Sequence, residues 1–200
     1  VLASQGYFVF LPNPRGSYGQ GEKFTQGNVK DFGHGDLRDI DRGIDAALAA
    51  APIDPKRLGI CGWSYGGYMA MWAVTQTNRY AAAVAGAGIV SWQSYYGQNR
   101  IDQWLLPFFG ASVYDDPDVY ARSSPITYIK QAKTPTLIQH GATDQRVPLP
   151  NAFELYHGLQ DNHVPTKLIV YQGFGGIGHG PTKPKSNRAT MDHNVEWFDQ

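Results

Sequence analysis

The sequence predicts an α/β fold, in which helices flank a mainly parallel sheet. Short apolar runs of strand length alternate with longer segments of helical periodicity, and this alternation is typical of parallel sheets. The runs are apolar at successive positions, as expected of strands that are covered on both faces. About five strands are predicted, at residues 7–11, 58–61, 81–85, 136–138 and 167–171.

Helices are predicted where apolar residues recur every three or four positions. Residues 36–50 have this spacing, with Asp36 in the first turn and Pro52 after the end. Residues 1–6 have the pattern of a last helical turn that stops at Gly6. Similar apolar patterns predict three further helices, at residues 68–77, 151–160 and 187–200.

The composition predicts one globular domain over residues 1–200, with 42% hydrophobic and 17% charged residues. The 17 basic residues balance the 17 acidic ones, so neither a nucleic-acid partner nor a membrane partner is expected. No apolar run reaches the roughly 18 residues of a membrane helix, which predicts a soluble protein. The single cysteine permits no internal disulfide and leaves the compartment unknown, with the cytoplasm preferred.

Residues 91–124 interrupt the alternation of strands and helices. This stretch is rich in aromatic residues and contains Pro107 and Pro117. We expect it to form a pocket or cap segment within the domain, because such insertions commonly carry binding residues.

The hexapeptide Gly62-Trp63-Ser64-Tyr65-Gly66-Gly67 stands between a predicted strand and a predicted helix. A G-x-S-x-G sequence in this position is typical of the nucleophile elbow of the α/β-hydrolase fold, where a sharp turn exposes the serine hydroxyl. Gly62 and Gly66 are expected to allow close approach of strand and helix. The backbone N–H of Tyr65, at the helix start, is expected to stabilise an oxyanion.

A serine nucleophile requires an imidazole base and a carboxylate that orients the imidazole, in the chain order Ser, Asp or Glu, His for this fold. Asp144 follows the predicted strand at 136–138, and His179 lies between glycines after the last strand. Both therefore belong to the carboxyl edge of the sheet. His140 is expected to make a structural hydrogen bond. The other histidines are expected at the surface, namely His34, His157, His163 and His193.

Metal and phosphate sites are the competing interpretations of these residues. The sequence has no H-E-x-x-H, H-x-H or paired-cysteine spacing, so no metal and no cofactor are expected. Residues 16–21 are rich in glycine but lack the ending of a phosphate-binding loop, and they predict a turn. Cys61 lies in an apolar run and is expected to be a small core residue.

Several blocks of sequence occur in one order along nearly the whole chain, at residues 13–21, 35–40, 62–69, 124–135, 140–148 and 178–180. Together they resemble the catalytic domain of the prolyl oligopeptidase family of serine peptidases, particularly its acylaminoacyl-peptidase and dipeptidyl-peptidase-like branches. The resemblance implies that Ser64 is the nucleophile, Asp144 the orienting acid and His179 the general base. It also implies that the Tyr65 N–H is one oxyanion donor.

The resemblance further implies a pocket for the residue before the scissile bond. Trp92, Tyr95, Tyr96 and Val147 occupy positions where family members line that pocket, although ordinary core packing is an equal alternative for the aromatic residues. Arg146 either contacts the substrate or braces its own loop.

Two departures from the family pattern are visible. The approach to His179, residues 173–178, is longer and richer in glycine. The family's earlier strands, its His-Gly-Gly-Pro-like loop near the second oxyanion donor and its N-terminal β-propeller do not occur here, so we expect a fragment or a reduced form. Without the earlier strand, residues 7–11 are expected to pair directly with residues 58–61, or the gap is filled by another segment or a second copy in a homo-oligomer.

The leading hypothesis is a serine hydrolase that cleaves peptide bonds, as an exopeptidase or oligopeptidase, through an acyl-enzyme on Ser64. A carboxylesterase acting on small esters is the alternative within enzymes, because esters need less help at the leaving group. A non-catalytic remnant that serves as an interaction domain is the alternative from another class.

Overall fold

The computed structural model describes residues 1–200 and contains one sheet of four parallel strands. The strands lie side by side in chain order, so each is joined to its neighbour by a crossover connection. All the carboxyl ends therefore share one edge of the sheet, and the predicted α/β fold is confirmed. The strands are β1 (Gly59–Trp63), β2 (Ala82–Gly86), β3 (Thr136–Gly141) and β4 (Thr166–Tyr171).

Four of the helices agree with the predicted ranges to within three residues at each end, namely α2, α3, α7 and α8 below. Gly6 ends a short 3-10 helix in a left-handed conformation, as the sequence predicts. No helix is both long and apolar enough to cross a bilayer. The helices are α1 (Glu22–Thr25), α2 (Gly35–Ala50), α3 (Tyr65–Gln76), α4 (Trp92–Gln98), α5 (Leu105–Phe109), α6 (Pro117–Ala121), α7 (Pro150–Asp161) and α8 (Pro184–Phe198). Short 3-10 helices lie at Leu2–Gln5, Gln26–Asn28, Asp102–Trp104 and Pro125–Gln131.

The core has two parts that meet at α3. On one face of the sheet, α3 and α7 bury an aliphatic cluster that includes Met71, Ile138 and Leu155. On its other side, α3 packs in an aromatic cluster with α2, α4, α5 and α6. Because α3 is covered all round, every residue from Gly67 to Thr75 is buried, and the helix fixes the elbow at its N-terminus. The opposite face of the sheet is covered by α8.

Residues 7–11 do not form the predicted strand. Phe8 and Leu11 are 61% and 84% exposed, and the segment pairs with no strand. Tyr7 instead donates a hydrogen bond to Asp199 at 2.5 Å, and Phe10 packs against Gly43 of α2. An apolar run forms a strand only where a neighbouring strand supplies hydrogen-bond partners. The predicted direct pairing with residues 58–61 is therefore wrong, and β1 is an edge strand.

The edge position of β1 also corrects the prediction for Cys61. This residue is exposed rather than a core residue, because no strand covers the outer side of β1. Its side chain borders a cavity of about 200 Å³ between the sheet and α8, together with Gln139, Thr190 and Asn194. Protein atoms around the sulfur raise the pKa of the Cys61 thiol by desolvation. The thiol is therefore not activated as a nucleophile.

Candidate active site

Ser64 lies on the turn between β1 and α3, as the G-x-S-x-G sequence predicts. Its backbone angles are φ 58° and ψ −117°, which are uncommon for a residue with a side chain and typical of strained functional turns. The Ser64 N–H donates to the carbonyl of Gly86 in β2 at 2.9 Å. Its carbonyl accepts the N–H of Tyr68 at 2.9 Å. These two bonds hold the backbone on both sides of the hydroxyl.

The close approach of strand and helix at this turn depends on Gly62 and Gly67. A Cβ at Gly62 would lie 2.3 Å from the carbonyl oxygen of Gly66, and a Cβ at Gly67 would lie 2.1 Å from that of Gly86. A Cβ at Gly66 would meet no atom within 4 Å. The expectation from the sequence is therefore confirmed at Gly62 and wrong at Gly66, because the helix turns its next residue, Gly67, toward β2.

His179, in the loop between β4 and α8, reaches the hydroxyl of Ser64. Its Nε2 lies 2.8 Å from Ser64 Oγ, and its Nδ1 lies 2.8 Å from Asp144 Oδ2. Because an ionised carboxylate can only accept, Nδ1 carries the ring proton and Nε2 is free to accept the serine proton. The structure thus brings the three predicted side chains into one continuous hydrogen-bonded chain.

The carboxylate of Asp144 is held in the loop after β3. Its side chain is completely buried, and Oδ1 accepts the backbone N–H groups of Arg146 and Val147, both at 2.9 Å. With the bond from His179 to Oδ2, the carboxylate has three donors. A buried charge needs such partners, so this loop is shaped around the carboxylate.

Beneath this loop lies His140, whose predicted structural hydrogen bond is present. Its Nε2 donates to the carbonyl of Val147 at 2.7 Å and lies 3.6 Å from Asp144 Oδ2. Its Nδ1 is buried without a partner. Burial lowers the pKa of His140, because a charged imidazole would lose its hydration there. A neutral imidazole thus supports the loop that carries Asp144.

Tyr65 begins α3, so its backbone N–H has no acceptor within the helix. Its hydroxyl donates to Oδ2 of Asp36 at 2.6 Å. Asp36 is fully buried at the start of α2, and desolvation raises the pKa of its carboxyl. Burial raises the pKa of the Tyr65 phenol well above its ordinary value, which keeps the phenol a donor. This bond ties the residue after Ser64 to α2.

A cavity of about 140 Å³ opens beside the serine. Of the predicted pocket residues, Tyr95, Arg146 and Val147 line it, whereas Trp92 and Tyr96 do not. Trp92 has no exposed surface and packs against Tyr68 at 4.9 Å. Tyr96 packs edge-on against two other tyrosines. The full lining is Ser64, Tyr65, Ile89, Tyr95, Ile101, Trp104, Arg146, Val147 and His179.

Three lining residues were missed by the sequence analysis. Ile101 and Trp104 lie within residues 91–124, so taking the whole predicted pocket segment as lining would have found them. Ile89 follows β2 at the carboxyl edge of the sheet, and ligands of α/β folds bind at that edge, so its position could have predicted it as a lining residue.

None of the other four histidines lines the cavity, and the expected surface position holds for His157 and His163, whereas His34 and His193 are half-buried. His34 packs against Trp72, His193 pairs with the hydroxyl of Tyr171, and His157 is exposed on α7. No group of three or more His, Cys, Asp or Glu side chains is arranged to hold a metal ion.

The turn predicts that Gly62→Ala strongly destabilises the protein, whereas Gly66→Ala does not. The new methyl group at residue 62 would strike a backbone carbonyl that cannot rotate away, at a cost of about 1–3 kcal/mol. The new methyl group at residue 66 would meet open space, and replacing a helical glycine by alanine stabilises by about 0.5–1 kcal/mol. Urea unfolding of both variants measures the difference. Equal free energies of unfolding would contradict the assigned packing.

The buried His140 predicts that the protein loses stability in acid. Because the folded-state pKa of His140 is below its ordinary value of 6.5, the unfolded chain binds more protons below about pH 6.5. The free energy of unfolding should fall as the pH drops from about 6.5, by at most about 1.4 kcal/mol per pH unit for this group.

Urea unfolding over a pH series tests this in His140→Gln, which keeps a donor for the Val147 carbonyl but does not titrate. The variant should show a shallower loss of stability below pH 6.5 than the parent. The exposed His157→Gln is the control and should keep the parent's slope. If His140→Gln has the parent's slope too, His140 is not the group responsible.

Comparisons with known proteins identify the family and the fold of this chain. All of residues 1–200 match the model of the prolyl oligopeptidase family. The uncharacterized peptidase YuxL of Bacillus subtilis (strain 168) is 36% identical over 206 residues, which cover 100% of this chain and 31% of that protein. The acylaminoacyl peptidase of Pyrococcus horikoshii, in an orthorhombic crystal form, superposes with a TM-score of 0.88 at 32% identity, over 94% of this chain and 31% of that one.

A structure of an acylaminoacyl peptidase in complex with Z-Gly-Gly-Phe-chloromethyl ketone superposes with a TM-score of 0.83 at 34% identity, again over 94% of this chain and 31% of that one. The chain therefore spans about a third of the length of these relatives. The family model matches the whole chain, and the solved structures share its α/β-hydrolase architecture. This chain therefore belongs to the prolyl oligopeptidase family.

Proposed function

We propose that the protein is a serine peptidase that hydrolyses peptide bonds through an acyl-enzyme on Ser64. His179 is the general base, and Asp144 orients it. The observation that carries this proposal is the hydrogen-bonded chain from Ser64 through His179 to Asp144, with both links at 2.8 Å. Family membership supports the same assignment, because the family consists of serine peptidases and the three residues occur in the chain order Ser, Asp, His of the α/β-hydrolase fold.

In the first half of the reaction, Ser64 Oγ attacks the carbonyl carbon of the substrate. The hydroxyl proton passes to Nε2 of His179, and Asp144 stabilises the resulting imidazolium through Nδ1–H. The carbonyl oxygen becomes an oxyanion, which accepts a hydrogen bond from the Tyr65 N–H at the positive end of α3.

The tetrahedral intermediate then collapses. Its C–N bond breaks, and His179 gives its proton to the leaving amine, so the acyl group remains as an ester on Ser64 Oγ. In the second half, water attacks this ester and loses a proton to His179. The C–O bond to Ser64 breaks, the serine oxygen takes the proton back, and the acid product leaves.

The lining of the cavity beside Ser64 supports a preference for substrates with an apolar residue on the acyl side of the scissile bond. Ile89, Ile101, Trp104 and Val147 supply an apolar lining. We assign Tyr95, Arg146 and Val147 to substrate contact because they line this cavity, while Trp92 and Tyr96 contribute to its packing from behind. Because similar structures are named acylaminoacyl peptidases, N-acylated peptides are the first substrates to test.

A carboxylesterase remains the second candidate, for one specific reason. The oxyanion donor that we assign within this chain is the single N–H of Tyr65, and loss of one donor typically costs about 10²- to 10³-fold in turnover. An activated ester tolerates such a loss better than an amide does. The ratio of peptide to ester turnover separates the two candidates.

The first test is the intact mass of the chain after incubation with a fluorophosphonate. The folded protein should gain one adduct, because the probe reacts with a serine whose proton is removed by a base. Ser64→Ala should gain none. His179→Ala should react about 10²- to 10⁴-fold more slowly, which is the usual contribution of a general base.

His157→Ala is the matched control, since it removes an exposed histidine on α7, and it should label at the parent's rate. Heat-unfolded protein should not be labelled. A folded parent protein without an adduct would overturn the proposal and would favour a non-catalytic interaction domain.

We also propose that the outer edge of β1 pairs with a further strand, in a second copy of the chain or in another segment. The backbone N–H and C=O groups on the outer edge of β1 pair with no strand, which supports this proposal. The sequence of β1 also has neither the lysine nor the proline that commonly protects an edge strand. Sedimentation over a range of concentrations should detect a dimer. A monomer at every concentration would contradict pairing with a second copy.

A further inference from the structure

The base has to reach the nucleophile across the width of the sheet. His179 follows β4, whereas Ser64 follows β1, and β2 and β3 lie between them. Three strand spacings amount to about 14 Å. The loop that makes this crossing contains glycines with positive φ just before His179, at 175, 176 and 178. Such a loop has much conformational freedom to lose, so His179 needs an anchor at the far end of the crossing.

The loop is anchored near β3 and β4 by contacts on both sides of His179. The hydroxyl of Thr182 donates to the carbonyl of Phe174 at 2.6 Å, and the carbonyl of Ile177 accepts the N–H of Gln145 at 3.1 Å. Neither contact involves the main chain of His179. These bonds therefore hold the segments that flank His179 but not its own main chain.

The main chain of His179 is held by Trp63, the residue before the nucleophile. The indole Nε1–H of Trp63 donates to the carbonyl oxygen of His179 at 2.6 Å, and it is the one hydrogen bond made by the His179 main chain. The same short segment thus carries the serine and holds the backbone of the histidine, although 115 residues separate Ser64 from His179.

The indole reaches the loop because β2 leaves room for it. Trp63 pairs with Gly86, and a Cβ at Gly86 would lie 2.1 Å from Cε3 of Trp63. The indole ring therefore lies over Gly86 and continues to Phe174, with the ring centroids 5.7 Å apart. Phe174 in turn stacks on Tyr171 at the end of β4, at 4.8 Å. This row of aromatic rings spans the sheet beneath the loop.

We propose that Trp63 is a positioning residue, whose indole N–H fixes the imidazole of His179 over Ser64. This inference rests on the proposed function. Trp63 does not line the cavity beside Ser64. Its loss should therefore slow the proton transfers and leave substrate binding unchanged.

Trp63→Phe tests the inference, because phenylalanine keeps an aromatic ring and lacks the N–H. With a short p-nitrophenyl ester as the substrate, kcat should fall about three- to tenfold, as expected for loss of one hydrogen bond, while KM stays constant. Trp197→Phe is the matched control, since the indole N–H of Trp197 is buried without a partner. It should keep the parent's kcat and KM.

Hydrogen exchange of the indole N–H groups in the 15N-tryptophan-labelled protein gives a readout that does not depend on activity. The Trp63 indole proton should exchange slowly, and its resonance should be the one missing in Trp63→Phe. Should Trp63→Phe fail to fold, benzothienylalanine at position 63 keeps the bicyclic shape and replaces N–H by sulfur.

The outcomes separate the two proposals. A folded variant with the parent's kcat, a rise in KM alone, or rapid exchange of the Trp63 indole proton would overturn the positioning role and leave the proposed function intact. A parent protein without turnover that depends on Ser64 would overturn the proposed function itself.

Discussion

The hydrogen bond between His179 Nε2 and Ser64 Oγ is the contact on which the rest of the site depends. Ser64 follows β1 and His179 follows β4, the two outer strands of the sheet, and these strands do not pair with each other. The parallel order of the strands is what makes the bond possible, because it collects every strand's carboxyl end on one edge. The strained turn at Ser64, the buried loop around Asp144 and the long glycine-rich crossing each solve one part of this geometric problem.

Buried polar groups around the site act by fixing positions. Asp144 has donors on both oxygens, Asp36 holds the side chain of Tyr65, and His140 holds the carbonyl of Val147. Desolvation lowers the pKa of His140, and its imidazole is therefore neutral. A second positive imidazole beside Asp144 would compete with His179 for the carboxylate, so the neutrality of His140 leaves Asp144 free to serve His179.

Much of this arrangement could be predicted from the sequence, because local patterns specified it. The G-x-S-x-G turn, the helix from Gly35 to Ala50 and the positions of Asp144 and His179 after their strands follow from spacing and residue type. The failures have a common cause. Residues 7–11 have the sequence of a strand, and Cys61 lies in an apolar run typical of a core. The structure that each adopts nevertheless depends on which strand lies beside β1. Likewise, the roles of Trp92 and Ile101 were decided by packing between distant segments, which no local pattern reports.

The central claim is that this chain holds His179 between Ser64 and Asp144 in its folded state. Proton NMR of the 15N-histidine-labelled protein tests it most directly, because an Nδ1–H bonded to a carboxylate resonates far downfield of other imidazole protons. We predict one such resonance in the parent protein, its loss in Asp144→Ala and its survival in His157→Ala. A folded parent protein without this resonance would contradict the account.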